Sequence, residues 1–318
     1  MNNTIYGLSN EDYHFKEPYR EYLSSSALKH YLKSPKAAKF AIDNPAEEKS
    51  DALRFGTLFH DLMVNCTDAF DNIPEAITQW INDIAVFEPP INEKTGQPYG
   101  NTTKTYKNAC EAFLMANEGK MIATRDELSQ IREMGMSLLS NGGDTSRQMC
   151  KLLRWGRPEV SFFYETDDGI KLKVRPDLLT RRKIIDFKTT TSDDLREDAI
   201  NNTILKYGYQ ISASLYQYVL HKITGRLYDF ILVMISKEPP YDCVMVDMAR
   251  YGYRYDSEYD MVVPGPGAIE FKKLLDLHVK CTRENEWPGA ETFIPSDNGV
   301  RIMEIQPPYW YENKFIEQ

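Results

Sequence analysis

The chain has 318 residues, 42% of them hydrophobic and 27% charged, with a formal net charge of -9 at pH 7. That length and apolar fraction support a substantial buried core and exclude a disordered or low-complexity chain, and no apolar run approaches a membrane span. Five scattered cysteines (Cys66, Cys110, Cys150, Cys243 and Cys281), odd in number and without a Cys-x-x-Cys pair, exclude a disulfide framework and a zinc site. No charged-then-apolar leader opens the sequence, which points to a cytoplasmic protein.

In chain order, Ser26 to Asp43 reads as a helix with a serine N-cap, interrupted at Ser34-Pro35. A second helix over Ala52 to Asn65 puts Phe55, Leu58, Phe59 and Leu62 on one face, with Gly56 permitting close backbone approach. Residues 85–103 hold three prolines and two glycines and read as a loop, with a plain connector and a binding segment both open. Thr105 to Ala116 and Arg125 to Ser140 are polar amphipathic helices. Three strands follow, Glu159 to Glu165, Ile170 to Leu179 and Lys183 to Thr190, and Ser192 is placed to cap the next helix. A helix over Tyr207 to Lys222 stops near Gly225. The apolar strand Tyr228 to Ser236, a Pro239-Pro240 turn, the strand Tyr241 to Met248 and a last helix over Gly267 to Glu286 complete the order. The crossover between Thr190 and Tyr228 permits a parallel pair and a mixed sheet. No linker divides the chain and no repeat appears. It reads as one α/β domain over 1–318: a helical portion over about 20–150, a sheet core over about 155–250, and a C-terminal helix and tail over 258–318.

Chemistry concentrates in Val174-Arg175-Pro176-Asp177 and Asp186-Phe187-Lys188. A two-residue turn at Arg181-Arg182 sets Asp177 opposite Asp186, where like charges destabilise unless a cation lies between them. Alternation puts Lys188 on the face of Asp186. A three-residue loop Asp167-Asp168-Gly169, with Gly169 left-handed, aligns Glu159 with Asp177; a two-residue turn sends Glu159 to the other face. The first is the reading adopted. Carboxylates suit a hard cation such as Mg²⁺. The lysine can orient or deprotonate a water beside it.

Asp177-x8-Asp186-x-Lys188 resembles the PD-(D/E)xK nuclease signature, and the chain as a whole resembles the RecE-type exonucleases (exodeoxyribonuclease VIII and its phage relatives). The likeness is carried by Ser24 to Lys29 with Ser34-Pro35, by Ala52 to His60, by Thr102 to Lys107, by Glu159, and by Trp287-Pro288-Gly289. It implies a restriction-endonuclease-like core, a mixed sheet flanked by helices behind an N-terminal helical region. It also implies Mg²⁺-dependent 5′-to-3′ digestion of linear double-stranded DNA to 3′ single-stranded tails, with Mn²⁺ able to substitute. Asp177, Asp186, the Phe187 backbone carbonyl, Glu159 and His60 become metal ligands. Asp177, Asp186 and Glu159 join the catalytic lysine Lys188. Arg175, Thr189, Thr190, Ser212 and Tyr216 become DNA contacts.

Implied partners are DNA ends, a RecT-like single-strand annealing protein and further copies of the chain in a ring-like trimer or tetramer, in the cytoplasm of a bacterial host. Some relatives hold an iron–sulfur cluster on closely spaced C-terminal cysteines; nothing like that group is present, so no cluster is expected. One departure stands out. The relatives' Gln-x-x-x-Tyr pair aligns here with Ser212 and Tyr216, while Gln210 points elsewhere. That leaves an endonuclease or flap nuclease of the same fold, or a catalytically silent DNA-binding protein, as alternatives. The negative net charge does not exclude DNA, because charge distribution decides. Lys151, Arg154, Arg157, Lys171, Lys173, Arg175, Arg181, Arg182, Lys183 and Lys188 cluster in sequence around the motif.

Overall fold

The computed structural model describes residues 3–44, 51–67, 71–294 and 301–308. The tail over 309–318 lies outside them. The N-terminal part runs through Thr4–Ile5 (β1), Asn10–Phe15 (α1), Ser25–Lys29 (α2), Pro35–Asp43 (α3) and Asp51–Asn65 (α4). The first predicted helix is thus two helices with a 3₁₀ turn between them. Its serine N-cap is Ser24, whose hydroxyl accepts the Ala27 N–H, so the helix begins at Ser25, one residue before the expected start. Ser34 caps the second piece and Pro35 occupies its first turn, where a missing N–H costs nothing.

Ile73–Asp83 (α5) is followed by Ala85–Val86 (β2), Ile91–Asn92 (β3) and Gln97–Pro98 (β4). The stretch read as loop therefore contains a small hairpin, β3 with β4. Lys104–Ala116 (α6), Ile122–Ala123 (β5), Arg125–Ser140 (α7) and Asp144–Trp155 (α8) complete the helical portion. Thr124 and Glu127 cap each other reciprocally and start α7 at Arg125. The sequence reading did not anticipate α5 or α8.

Arg157–Pro158 (β6), Ser161–Glu165 (β7), Lys171–Val174 (β8), Leu178–Leu179 (β9) and Lys183–Thr190 (β10) form the meander. Both expected registers hold. Phe162 pairs with Val174 across the Asp167-Asp168-Gly169 loop, where Gly169 has φ +77°. Ile184 pairs with Leu179 and Ile185 with Leu178 across the Arg181-Arg182 turn. The expected continuous strand over Ile170 to Leu179 is broken, however. Pro176 cannot donate to a ladder, and beside it, opposite Asp177, Glu159 adopts φ +48°. The antiparallel pair splits there: β7 and β8 join β1 in one three-stranded sheet, while β6 and β9 join the central sheet.

Glu197–Tyr207 (α9), also unanticipated, and Tyr209–Thr224 (α10) cross over to Asp229–Ser236 (β11), followed by Cys243–Asp247 (β12), Tyr253–Asp256 (β13), Met261–Pro264 (β14) and Pro266–Glu284 (α11). Ser192 caps no helix; its hydroxyl bonds the Asp194 backbone, and α9 begins after Arg196. The central sheet has the order β12-β11-β10-β9-β6, with β10 and β11 parallel along their whole length and the other neighbours antiparallel. It is the mixed sheet of a restriction-endonuclease-like fold.

Alternation along β10 feeds two cores. Ile185 and Phe187 pack with Phe55, Leu58, Phe59 and Leu62 of α4 and with α5, α7 and α8. Ile184 packs with Leu28, Tyr31, Ile211, Leu215 and Phe271 on the opposite side. Among the described residues no helix is long and apolar enough to cross a membrane.

Candidate active site

The site forms where the meander splits. Asp177 follows the break at Pro176, just before β9, and its Oδ2 accepts the Phe187 N–H of β10 at 2.6 Å. One residue earlier on β10, Asp186 takes the Lys188 ammonium on its Oδ2 at 2.6 Å. Lys188 also donates to the Phe187 carbonyl at 3.1 Å. Helix α4 delivers His60, whose Nε2 lies 3.1 Å from Asp177 Oδ1 and whose Nδ1 lies 3.8 Å from Glu159 Oε1. The Glu159 N–H donates to the Asp177 carbonyl at 3.3 Å, so the strained φ at Glu159 keeps the two residues in register across the split. Gly56, one turn before His60, brings α4 against β10: a Cβ there would lie 3.9 Å from Thr189 Oγ1. Five residues from four segments of chain thus meet.

Their electrostatics are uneven. Burial would raise both aspartyl pKa values. At Asp177 the charge and hydrogen bond of His60, the charge of Lys188 and the Phe187 N–H outweigh burial, and the carboxyl sits below its ordinary value. At Asp186 burial and the neighbouring Asp177 charge prevail over Lys188 and Lys29, and the carboxyl sits above it. Burial opposes the charge on His60, but Asp177 and Glu159 carry its pKa up to about 8. Lys188 behaves likewise: burial is outweighed by Asp186 and Asp177, and its pKa rises above that of an ordinary lysine.

Three carboxylates and a backbone carbonyl are oxygen donors of the kind a hard divalent cation takes, supplemented by water and substrate oxygen, and the His60 imidazole adds a softer nitrogen donor. Asp186 supports this fit: its charge is disfavoured by burial beside Asp177, the arrangement a shared cation relieves. Among the described residues, no three His, Cys, Asp or Glu side chains already converge in a metal-site geometry. They are paired with one another instead, Asp177 with His60 and Asp186 with Lys188.

The expected DNA contacts divide. Thr189 and Thr190 lie half-buried at the end of β10, and Thr190 Oγ1 accepts the Ser192 N–H at 3.1 Å. Arg175 does not belong with them. Its side chain is buried, with Nε donating to Ser161 Oγ at 2.9 Å, a terminal nitrogen donating to Asn10 Oδ1 at 2.8 Å, and the guanidinium 3.9 Å from the Tyr13 ring centre. Ser212 is buried inside α10. The Tyr216 hydroxyl donates to the Arg175 carbonyl at 3.2 Å, bracing the backbone just before Asp177. Arg175 and Tyr216 are thus engaged by the protein itself, and Ser212 is covered. Gln210 points elsewhere as expected, donating to Glu270 Oε2 at 3.0 Å.

The basic cluster also thins. Lys173 is buried and donates to the carbonyls of Tyr13 and Tyr19, and Lys171 is paired with Glu21. Two residues join the site that sequence reasoning gave no role. Lys29 of α2 has its pKa lowered to about 8 by burial and by the Lys188 charge, against the pull of Asp186. Tyr209, the first residue of α10, has its ring centre 5.2 Å from Lys29 Nζ and 5.7 Å from Lys188 Nζ. The only prior signal was the place of Lys29 in the Ser24 to Lys29 segment.

A family model described as a PDDEXK-like domain of unknown function (DUF3799) matches residues 24–291. No curated protein matches the chain. Among solved structures, a presumed exonuclease from Eubacterium rectale is similar with a TM-score of 0.45 at 18% identity, over 97% of this chain and 98% of that one.

Proposed function

The chain belongs to the PDDEXK-like domain family, and on that premise we propose that it is a divalent-metal-dependent nuclease acting on DNA ends. The observation that carries the reading is Asp177 and Asp186 held on either side of Phe187, with Lys188 on Asp186 at 2.6 Å. Mg²⁺ is the proposed metal, with Mn²⁺ as substitute. Asp177, Asp186, Glu159, His60 and the Phe187 carbonyl would hold it. When bound, the metal acidifies a water, neutralises phosphate charge and aligns attack.

The chain's own residues do the rest. His60 and Glu159 hold Asp177 in place from the helical side. Lys188 orients the attacking water through its ammonium. Asp186 and Asp177 keep Lys188 protonated, so its ammonium can donate to the attacking water and to the leaving-group oxygen. Lys29 supplies a second cation for the phosphate beside the scissile bond.

The finer reading follows the likeness to RecE-type exonucleases: linear duplex digested 5′ to 3′, 3′ tails passed to a RecT-like annealing protein, and a ring-like trimer or tetramer in a bacterial cytoplasm. Its test is digestion of a linear duplex labelled separately at each 5′ end and internally, with nicked and closed circles beside it. Early release of 5′ label from the linear form alone supports the exonuclease. Cutting of closed circles replaces it with an endonuclease.

A further inference from the structure

We infer that Tyr207 and Tyr209 form a stacking platform for a nucleobase unpaired beside the scissile phosphodiester, an inference that rests on the nuclease reading. Their rings lie 5.7 Å apart centre to centre at an interplanar angle of 22°. The arrangement depends on Gly208, which ends α9 and begins α10 with φ +64°, a conformation that an L side chain adopts at a cost. A Cβ at Gly208 would also come within 3.2 Å of Lys29 Cγ, so the glycine leaves room for the Lys29 stem, whose Nζ lies 5.2 Å from the Tyr209 ring centre.

The pair has a reactive end and an open end. Tyr209 is flanked by Lys188 and Lys29, the two cations that serve Asp186. Tyr207 is 52% exposed, and its ring centre lies 5.3 Å from Lys206 Nζ. A core tyrosine would be covered, and a surface tyrosine would not be stacked on a ring that touches the proposed catalytic lysine. Aromatic faces accept any base, and flanking lysines meet the phosphates on either side. A strand end drawn toward Asp186 must leave its base pair and its stack, which costs a few kcal/mol. The platform returns that stacking on the enzyme and favours frayed or single-stranded ends. Tyr207 is a positioning residue in this scheme, since it touches neither Lys188 nor the carboxylates.

The experiment places 2-aminopurine at the terminal nucleotide of either strand of a linear duplex, with Ca²⁺ in place of Mg²⁺ to hold the substrate uncut. The wild type quenches the probe on binding. Tyr207→Ala loses the quench and raises KM in Mg²⁺ by about 5- to 150-fold, the loss of one base–aromatic stack. Its kcat at saturating DNA and its thermal melt stay near wild type, and Tyr207→Phe and Tyr207→Trp restore both quench and KM. Wild-type cleavage with Tyr207→Ala equal in quench and KM overturns the platform and leaves the nuclease standing. No binding of DNA by the wild type overturns both.

Discussion

Replacing Arg175 by alanine separates a structural arginine from a DNA-binding one. The guanidinium donates to Ser161 Oγ at 2.9 Å and Asn10 Oδ1 at 2.8 Å, and lies 3.9 Å from the Tyr13 ring centre. Hydrogen bonds to a charged group contribute ~1.5–3 kcal/mol each, and a desolvated cation–π contact ~2 kcal/mol. Against these stands the burial of the cation, which lowers the Arg175 pKa. The net loss on truncation is about 3–5 kcal/mol, because Ser161 and Asn10 are left facing a void. At roughly 2 °C per kcal/mol for a large domain, the melting temperature falls by about 6–10 °C. Arg175→Lys recovers only part, since an ammonium cannot reproduce the fork. The assay is thermal melting, paired with DNA affinity in Ca²⁺ as a function of salt. An unchanged melt with a salt slope reduced by about one would refute the structural role and restore Arg175 as a phosphate contact.

Three further outcomes follow from the packing and charge. Burial lowers the Lys173 pKa to about 8, against 10.5 for a free lysine, so the folded state sheds its proton first and stability rises with pH between those values. Urea melts should therefore show wild type gaining roughly 3 kcal/mol on Lys173→Met from pH 7.5 to 10.5; a flat difference contradicts the buried charge. At Gly156 a Cβ would lie 2.5 Å from Leu178 Cγ and 2.7 Å from the Leu152 carbonyl, so Gly156→Ala costs ~1–3 kcal/mol by denaturation, and a neutral result refutes that packing. Saturating Mg²⁺ should raise the melting temperature of wild type, by the equivalent of ~2.7 kcal/mol at a hundredfold excess over Kd, and leave Asp186→Asn unmoved. Equal shifts in both would place the metal elsewhere.

How much of this was legible in the sequence depends on the range of the forces involved. Both hairpin registers were readable because they are local: Gly169 and the Arg181-Arg182 turn set them within a few residues. Asp177, Asp186 and Lys188 followed from register alone. The split at Glu159 and Pro176 had one sign in the sequence: Pro176 marks a break in a strand, but the apolar alternation of Ile170, Leu172 and Val174 resumes at Leu178 and reads as one continuous strand. Alternation likewise put Lys173 and Arg175 on an open polar face with Asp177. The N-terminal segment covers them, through Ser9, Asn10, Tyr13 and Tyr19, about 160 residues away in sequence. Lys29 and Tyr209 reach the site by the same kind of distant packing, which no spacing rule reports. His60 lay on the border of an apolar helical face, where periodicity cannot distinguish a core imidazole from a ligand; its contacts with Asp177 and Glu159 place it at the site.

The most direct measurement is the rate at which wild type and Lys188→Ala release nucleotides from an end-labelled linear duplex in Mg²⁺. DNA binding in Ca²⁺ and the thermal melt of both proteins are recorded alongside. The account predicts cleavage by the wild type and a loss of about 10²- to 10⁴-fold in the variant, with binding and melt retained. A wild type that cuts DNA with no divalent metal supplied, or a Lys188→Ala variant as fast as wild type, would contradict it.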